Sequence, residues 1–140
     1  MPSAVAKSTR RDRPQCRALQ HNTLSVGMRA FFQIAEKWKL SNEEAMALLG
    51  SPSKSTFHNW KNGNVSHMAH SHDLASRLSY VLGIFKALEI LYQRPEMADA
   101  WVRQPNAAFG GQSALDRMCS GQMVDLASVR DYLDSVRGGW

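Results

Sequence analysis

The sequence predicts an all-α protein, with an N-terminal helix-turn-helix bundle followed by a small helical C-terminal domain. Apolar residues recur at intervals of three and four in residues 28–40 and 73–92, as they do along one face of an amphipathic helix. Gly, Ser and Pro lie between these segments in positions that suit helix caps and turns. A length of 140 residues allows one domain or two very small ones.

We divide the chain into four segments. Residues 1–22 are rich in Ser, Arg, Gln and Pro and have few apolar side chains, which predicts a mobile basic arm. This arm either adds phosphate contacts or is a solvated leader without an ordered role. Residues 23–70 form the predicted helix-turn-helix domain that binds DNA, residues 71–93 a long connecting and dimerising helix, and residues 94–140 a C-terminal binding domain.

The net charge of +5 is concentrated in the first half of the sequence. Residues 1–17 carry five bases and one acid, residues 18–70 carry five bases and three acids, and residues 71–140 carry seven bases and eight acids. No acid occurs between Gly50 and His70, which is typical of a surface that binds phosphates. Because a basic pI is common among soluble proteins, the distribution of charge is more informative than its total.

The first predicted helix, residues 28–40, has one apolar face that we expect to lie in the core. Its apolar residues follow helical spacing and are Met28, Phe31, Phe32, Ala35 and Trp38. We expect this helix to brace the pair of short helices that follows it.

The helix-turn-helix pair is predicted between residues 40 and 63. Ser41 and Glu44 form a capping box, in which each side chain bonds the backbone N–H of the other residue at a helix start. Gly50 suits a left-handed position at the end of this helix. Pro52 suits the first turn of the second helix, where its missing N–H costs nothing. Gly63 then ends the second helix.

The second helix of the pair has the composition of a recognition helix in the DNA major groove. Phe57 and Trp60 form its apolar edge, whereas its other edge carries hydrogen-bond donors and no acid. We predict phosphate contacts for Lys54 and Lys61, and base-edge contacts for Ser55, Thr56, His58 and Asn59, of which Asn59 suits adenine. Helix-turn-helix pairs also occur in proteins that never bind nucleic acid, so spacing alone leaves that alternative open.

The longest predicted helix, residues 73–92, has an apolar stripe wider than one small helix-turn-helix needs. Part of it must therefore pack against the C-terminal half or against a second copy of the chain. Shorter helices are predicted at residues 95–103, after a Ser113–Asp116 cap, and at about residues 125–136. The two glycines at 110 and 111 lack the pattern of a phosphate-binding loop.

The sequence contains no constellation that predicts catalysis or metal binding. His67, His70 and His72 lie close together, but no Cys or second His cluster completes a tetrahedral site. Cys16 and Cys119 are too few and too far apart for a disulfide framework, which favours a reducing, cytoplasmic location. We therefore predict a protein that is not an enzyme, uses no cofactor and does not bind a membrane.

Several motifs, in order along the chain, resemble the Xre/MbcA/ParS-type antitoxins. Residues 52–60, PSKSTFHNW, resemble the P-x-S-T-[LF]-x-x-W segment of that family. Residues 101–111, WVRQPNAAFGG, followed by Leu115, Gly121 and residues 129–133, resemble its C-terminal toxin-binding segment. Ala114 stands where the family usually has Pro, which reduces rigidity at the start of a helix.

The resemblance implies an antitoxin of a type II toxin–antitoxin system, whose partner would be a RES-class toxin that consumes NAD⁺. Residues 94–140 would be the toxin-binding domain and would occlude the active site of the toxin with the C-terminal end. The resemblance implies these toxin-binding residues: Tyr132, Arg137, Gly138, Gly139 and Trp140. The helix-turn-helix would bind the promoter of its own operon, as a homodimer that meets two half-sites.

Two alternatives remain from the sequence. The chain could be a plain helix-turn-helix transcriptional regulator whose C-terminal half only dimerises. It could also be an interaction adaptor whose helix-turn-helix binds no DNA. A neighbouring gene for a small toxin would favour the antitoxin over both.

Overall fold

A computed structural model describes residues 23–65 and 71–138, and these residues confirm the predicted all-α class. The elements are α1 (residues 23–37), α2 (Asn42–Leu48), α3 (Lys54–Lys61), α4 (His72–Leu91), α5 (Pro95–Trp101), a 3₁₀ turn (Ala107–Phe109), α6 (Ala114–Met118) and α7 (Met123–Gly138). The predicted basic arm with Cys16 lies outside the described residues, as do His67, His70, Gly139 and Trp140.

The long helix α4 lies at the centre of the molecule and packs against both halves. Its Leu78 side chain is 3.6 Å from the position that a Cβ on Gly27 of α1 would occupy, and its C-terminal half packs against α5 and α7. One cluster of buried side chains is continuous from Phe31 through Ile84 to Leu126. The wide apolar stripe of α4 is therefore covered by α1 and by α7 of the same chain, and α7 belongs to the first of the two expected partners.

The capping predictions for α2 and α6 are confirmed. Ser41 Oγ accepts a 3.1 Å hydrogen bond from the Glu44 N–H, and Glu44 Oε1 accepts a 2.8 Å bond from the Ser41 N–H. Ser113 Oγ accepts a 3.0 Å bond from the Asp116 N–H at the start of α6. The reciprocal bonds of Ser41 and Glu44 and the single bond to Ser113 satisfy backbone donors that a helix start leaves free.

Helix α1 begins before residue 28 and ends before residue 40, so both predicted ends were wrong. Leu24 is buried four residues before Met28 and extends the apolar face of the helix. Lys39 has a left-handed backbone with φ 55°, and the Leu40 N–H donates to the Ala35 carbonyl at 2.9 Å. This bond closes the helix end in the way that a left-handed residue allows.

Further helix boundaries also differ from the prediction. Pro52 precedes α3 instead of occupying its first turn, because Ser53 is the N-cap and accepts a 3.2 Å bond from the Thr56 N–H. Helix α5 ends at Trp101, two residues before the predicted end. Helix α7 extends from Met123 to Gly138, so the predicted range of about 125–136 was too short at both ends.

Two absences hold for residues 23–65 and 71–138. No group of three His, Cys, Asp or Glu side chains in these residues could hold a metal ion. None of the helices that they form is both long enough and apolar enough to cross a membrane.

Candidate DNA- and protein-binding sites

The turn between α2 and α3 orients the candidate recognition helix. Gly50 has φ +87°, as its predicted left-handed role requires, and Ser51 follows with φ 59°. The Phe57 ring of α3 is buried, and its centroid is 5.6 Å from that of Phe32 on α1. One side of α3 is thus fixed to the core, and its opposite side is turned outward.

The outward side of α3 carries most of the predicted DNA-binding residues. Residues three, four and seven apart share a helix face, and on α3 this spacing groups Ser55, His58, Asn59 and Asn62, with Lys54 beside them. All five are exposed, and we call them the outer face of α3. The side chains of Lys54 and Asn59 make no hydrogen bond or ion pair with any described residue.

The other two predicted DNA-binding residues lie on the edges of α3. Lys61 is exposed, and its ammonium donates a 2.8 Å hydrogen bond to Asn42 Oδ1 at the start of α2. An ammonium has three donors, so two remain for a phosphate. Thr56 is half-buried, and its Oγ1 accepts a 2.9 Å bond from Ser53 Oγ. This contact directs the Thr56 hydroxyl to the N-cap of its own helix.

Sequence reasoning missed Asn62, the exposed C-cap residue of α3. Its position three residues after Asn59 and seven after Ser55 is the signal that could have found it. Sequence reasoning also gave no role to Arg103 and Arg77, whose guanidinium groups connect the two halves of the chain. No local pattern marks such long-range contacts.

An aromatic cluster lies in the C-terminal half and includes the predicted toxin-binding residue Tyr132. The Tyr132 ring stacks on Trp101 at a centroid distance of 6.2 Å with an interplanar angle of 12°. Its edge meets Phe109 at 5.2 Å, and the Arg117 guanidinium lies 5.3 Å from the Phe109 ring. Tyr132 is half-buried, so these neighbours hold its ring and leave part of it accessible to a partner.

The end of α7 carries the predicted tip of the chain. Arg137 and Gly138 belong to the last turn of the helix and are both exposed. The sequence predicted that the last helix ends at about residue 136, whereas the structure continues it through Gly138. Earlier in α7, Arg130 Nε bonds both oxygens of Asp134 at 3.1 Å. Arg137 makes no such ion pair with a described residue.

The one described thiol, Cys119, lacks the properties of a nucleophile. Burial raises its pKa to about 11, and the negative charges of Glu44 and Asp116 act in the same direction. A thiol with this pKa is protonated at neutral pH, whereas reactive cysteines have lowered pKa values.

Comparisons with known proteins match the two halves of the chain to two domain families. Residues 21–83 match the family model of the antitoxin Xre-like helix-turn-helix domain. Residues 87–139 match the family model of the antitoxin Xre/MbcA/ParS C-terminal toxin-binding domain. A Sinorhizobium fredii protein, the uncharacterized protein y4oB, is 49% identical over 112 residues, which cover 80% of this chain and 84% of the relative. No solved structure matches the chain.

Proposed function

The chain belongs to the Xre/MbcA/ParS-type antitoxins, and we propose that it neutralises a RES-class toxin that consumes NAD⁺ and represses its own promoter. Toxin binding and DNA binding are the functions of its two matched domains. The class of toxin, the inhibition by occlusion and the identity of the operator are our proposals. The observation that carries them is that one chain presents two exposed donor surfaces, the outer face of α3 and the end of α7.

For DNA, we assign base contacts to the outer face of α3 and phosphate contacts to Lys54 and Lys61. An Asn side chain can pair in a bidentate manner with adenine N6 and N7 in the major groove. Asn59 suits this role because its amide is exposed and has no hydrogen-bond partner among the described residues. Ser55 and His58 lie on the same face, and Thr56 keeps its hydroxyl donor for a base, because its Oγ1 only accepts the bond from Ser53.

For the toxin, we assign the inhibitory contact to residues 137–140, with the exposed part of Tyr132 in support. A guanidinium forms strong paired hydrogen bonds with carboxylates and suits a cavity that normally binds an anionic dinucleotide. Arg137 is exposed at the end of α7, next to Gly138, whose small size lets the chain enter a narrow cleft. Inhibition is then steric and electrostatic, and it requires no catalytic group in the antitoxin.

Deletion of residues 137–140 tests the proposed tip. In cells that express a RES-class toxin encoded by an adjacent gene, the truncated chain is expected to fail to restore growth. Its binding to DNA from upstream of its own gene should remain within about twofold of wild type. Lys54→Ala is the matched control, because it should weaken DNA binding and still restore growth. Full rescue by the truncated chain would refute occlusion by the tip.

The salt dependence of DNA binding tests the phosphate contacts. Each lysine that neutralises one phosphate contributes about 0.9 to the slope of log affinity against log salt. Lys54→Ala and Lys61→Ala should therefore each reduce the slope by about one unit. Arg130→Gln removes the same charge from a side chain paired with Asp134 and should leave the slope unchanged. Parallel slopes for all variants would exclude the two lysines as phosphate contacts.

The proposed homodimer cannot use the stripe of α4 that α7 covers. The large apolar side chains left exposed in the described residues are Val26, Ile90, Met97 and Val124, with exposed fractions from 51% to 70%. Light scattering on the purified chain measures its mass directly. A dimer that binds promoter DNA but does not protect cells from the adjacent toxin would favour a plain transcriptional regulator.

A further inference from the structure

Arg103 belongs to the matched toxin-binding segment, but its guanidinium contacts the helix-turn-helix half. Its Nε donates a 3.2 Å hydrogen bond to the Trp38 carbonyl, and its Nη2 donates a 2.7 Å bond to the Lys39 carbonyl. Both carbonyls lie just beyond the last residue of α1, where helical bonding leaves acceptors free. Lys39 has the left-handed backbone that ends this helix, so Arg103 binds α1 at the point where the chain turns toward α2.

The same guanidinium contacts the capping box of α2. Arg103 Nη2 lies 3.2 Å from Glu44 Oε1, and Nη1 lies 3.5 Å from Oε2. Glu44 Oε1 also accepts the 2.8 Å bond from the Ser41 N–H. One carboxylate therefore caps α2 and binds Arg103. We call Arg103, Glu44 and the carbonyls of Trp38 and Lys39 the Arg103 junction.

A second arginine lies at the other end of α2. Arg77 of α4 is buried, and its Nη2 donates a 2.9 Å bond to the Gly121 carbonyl between α6 and α7. Its Nε bonds Asp73 at 2.9 Å and lies 3.0 Å from the position that a Cβ on Gly50 would occupy. The turn that follows α2 therefore packs against Arg77, whose guanidinium is hydrogen-bonded to Gly121 in the C-terminal half.

The orientation of α2 affects α3 through a direct contact. Asn42, the first residue of α2, accepts the 2.8 Å bond from Lys61, the last residue of α3. A displacement at the Arg103 junction therefore reaches the outer face of α3 through Glu44, the single helix α2 and this bond. Two packed helices joined by such contacts can couple distant positions.

We propose that Arg103 is a positioning residue for DNA binding, which holds α1 and α2 in the arrangement that presents the outer face of α3 to a duplex. This inference rests on the proposed function of α3. It assigns to the toxin-binding segment a role in DNA recognition that is separate from any contact with a toxin or with DNA. Arg77 supports the same helix at its other end.

The test measures the affinity of the full-length chain for a duplex from upstream of its own gene, at several salt concentrations. Arg103→Lys keeps the charge but cannot bond two carbonyls and a carboxylate in one plane. Arg103→Lys and Arg103→Gln should each weaken binding by about tenfold. The slope of affinity against salt should stay as in wild type, because no phosphate contact is lost. Arg94→Gln is the matched control, since Arg94 is exposed and makes no capping bond.

Glu44→Gln tests the path from Arg103 to α2. Glutamine preserves a capping box but removes the charge that Arg103 binds. The double variant Arg103→Gln with Glu44→Gln should bind DNA no more weakly than Arg103→Gln alone, because the two residues act through one contact. Fully additive losses would show that Arg103 acts by another route and would overturn the proposal.

Other results would also overturn it. Wild-type affinity of both Arg103 variants would exclude a positioning role. A salt slope reduced by about one unit would show that Arg103 itself contacts a phosphate. A loss of affinity that disappears after correction for the folded fraction, measured by thermal denaturation, would show only a general loss of stability. Unchanged binding by both Lys54→Ala and Asn59→Ala would refute the proposed α3 face and this inference together. Weakened binding by these two variants beside unchanged Arg103 variants would refute the inference alone.

Discussion

On the outer face of α3, Lys54 and Asn59 donate no hydrogen bond to any described residue, whereas at the Arg103 junction one guanidinium meets four oxygen atoms. Each region contains a cationic side chain, Lys54 on α3 and Arg103 at the junction, and both of these side chains are exposed. They differ in whether the acceptors for these donors lie within the chain.

This difference distinguishes residues that can bind a partner from residues that fix the positions of helices. Donors that the fold leaves unpaired are available to an acceptor outside the chain, such as a base edge or a phosphate. Donors that already bond internal carbonyls and carboxylates fix the relative positions of helices and are not available to a partner. Lys61 belongs to both groups, because it bonds Asn42 and retains further donors.

Two substitutions on α3 should distinguish its buried side from its exposed side most clearly. Phe57→Ala removes a ring that is 1% exposed and is expected to lower the free energy of unfolding by about 3–5 kcal/mol. Asn59→Ala removes no internal contact and should change that free energy by less than about 0.5 kcal/mol. Chemical denaturation of the two variants measures both values.

When DNA affinity is measured per folded protein, Asn59→Ala should lose more affinity than Phe57→Ala does. Asn59→Ala should weaken binding to the upstream duplex by about 1–3 kcal/mol through the lost base contact. A loss of stability in Asn59→Ala as large as that in Phe57→Ala would show that Asn59 is an internal residue. The distinction between the two sides of α3 would then be wrong.

Cys119 tests whether the region near the junction is closed to reagents. Its pKa of about 11, against an ordinary value of 9.0, implies roughly a hundredfold less thiolate than an exposed thiol has at about pH 8. A Cys16→Ser background leaves Cys119 as the only thiol. Reaction with Ellman's reagent should be slow in the native protein, should accelerate with rising pH, and should be fast in denaturant. Equal native and denatured rates would contradict the burial of this thiol.

Gly50 and Gly63 form a matched pair that isolates the contact with Arg77. Their φ values are +87° and +90°, so Ala at either position costs about 1–2 kcal/mol in backbone strain. At Gly63 an added Cβ meets nothing within 4 Å, whereas at Gly50 it lies 3.0 Å from Arg77 Nε. Gly50→Ala should therefore lower the unfolding free energy by more than Gly63→Ala does. Equal losses in thermal denaturation would show that Arg77 moves aside without cost.

Local chemistry explains which features could be predicted from the sequence. The capping box at Ser41 and the left-handed Gly50 depend on neighbours within four residues. Phe57 could be placed on the apolar edge of α3 from its spacing to Trp60, although its ring packs against the distant Phe32. Pro52 was placed in α3 because both Pro52 and Ser53 suit a helix start, and only the backbone shows that Ser53 caps the helix. The left-handed Ser51 could not be predicted, because a serine rarely adopts that conformation.

The candidate sites also contain residues that local sequence predicts and residues that it does not. The outer face of α3 could be predicted because its residues share one helix, and the missed Asn62 follows the same spacing. Arg103 could not be predicted, because its acceptor Glu44 is 59 residues away in sequence. No sequence pattern near Arg103 or Glu44 predicts that these two residues contact each other. Tyr132 was expected at the toxin interface, whereas its internal stacking on Trp101 depends on the packing of α5 against α7.

The smallest expected effect concerns the charge of Glu44. Partial burial raises the pKa of this carboxyl, but hydrogen bonds from Ser41 and Arg103 and the charge of Arg103 outweigh it, so its pKa lies below the ordinary value of 4.5. A lowered pKa in the folded state stabilises the protein above the unfolded pKa, and this contribution is lost as the pH falls through the folded value. Because the ion pair is partly exposed, we expect wild type to exceed Glu44→Gln by only about 0.5 kcal/mol at neutral pH. Thermal denaturation of both proteins should show this gap closing as the pH falls below 4.5 and then through the lowered folded pKa. A gap that persists in acid would mean that the carboxylate charge does not hold the Arg103 junction together.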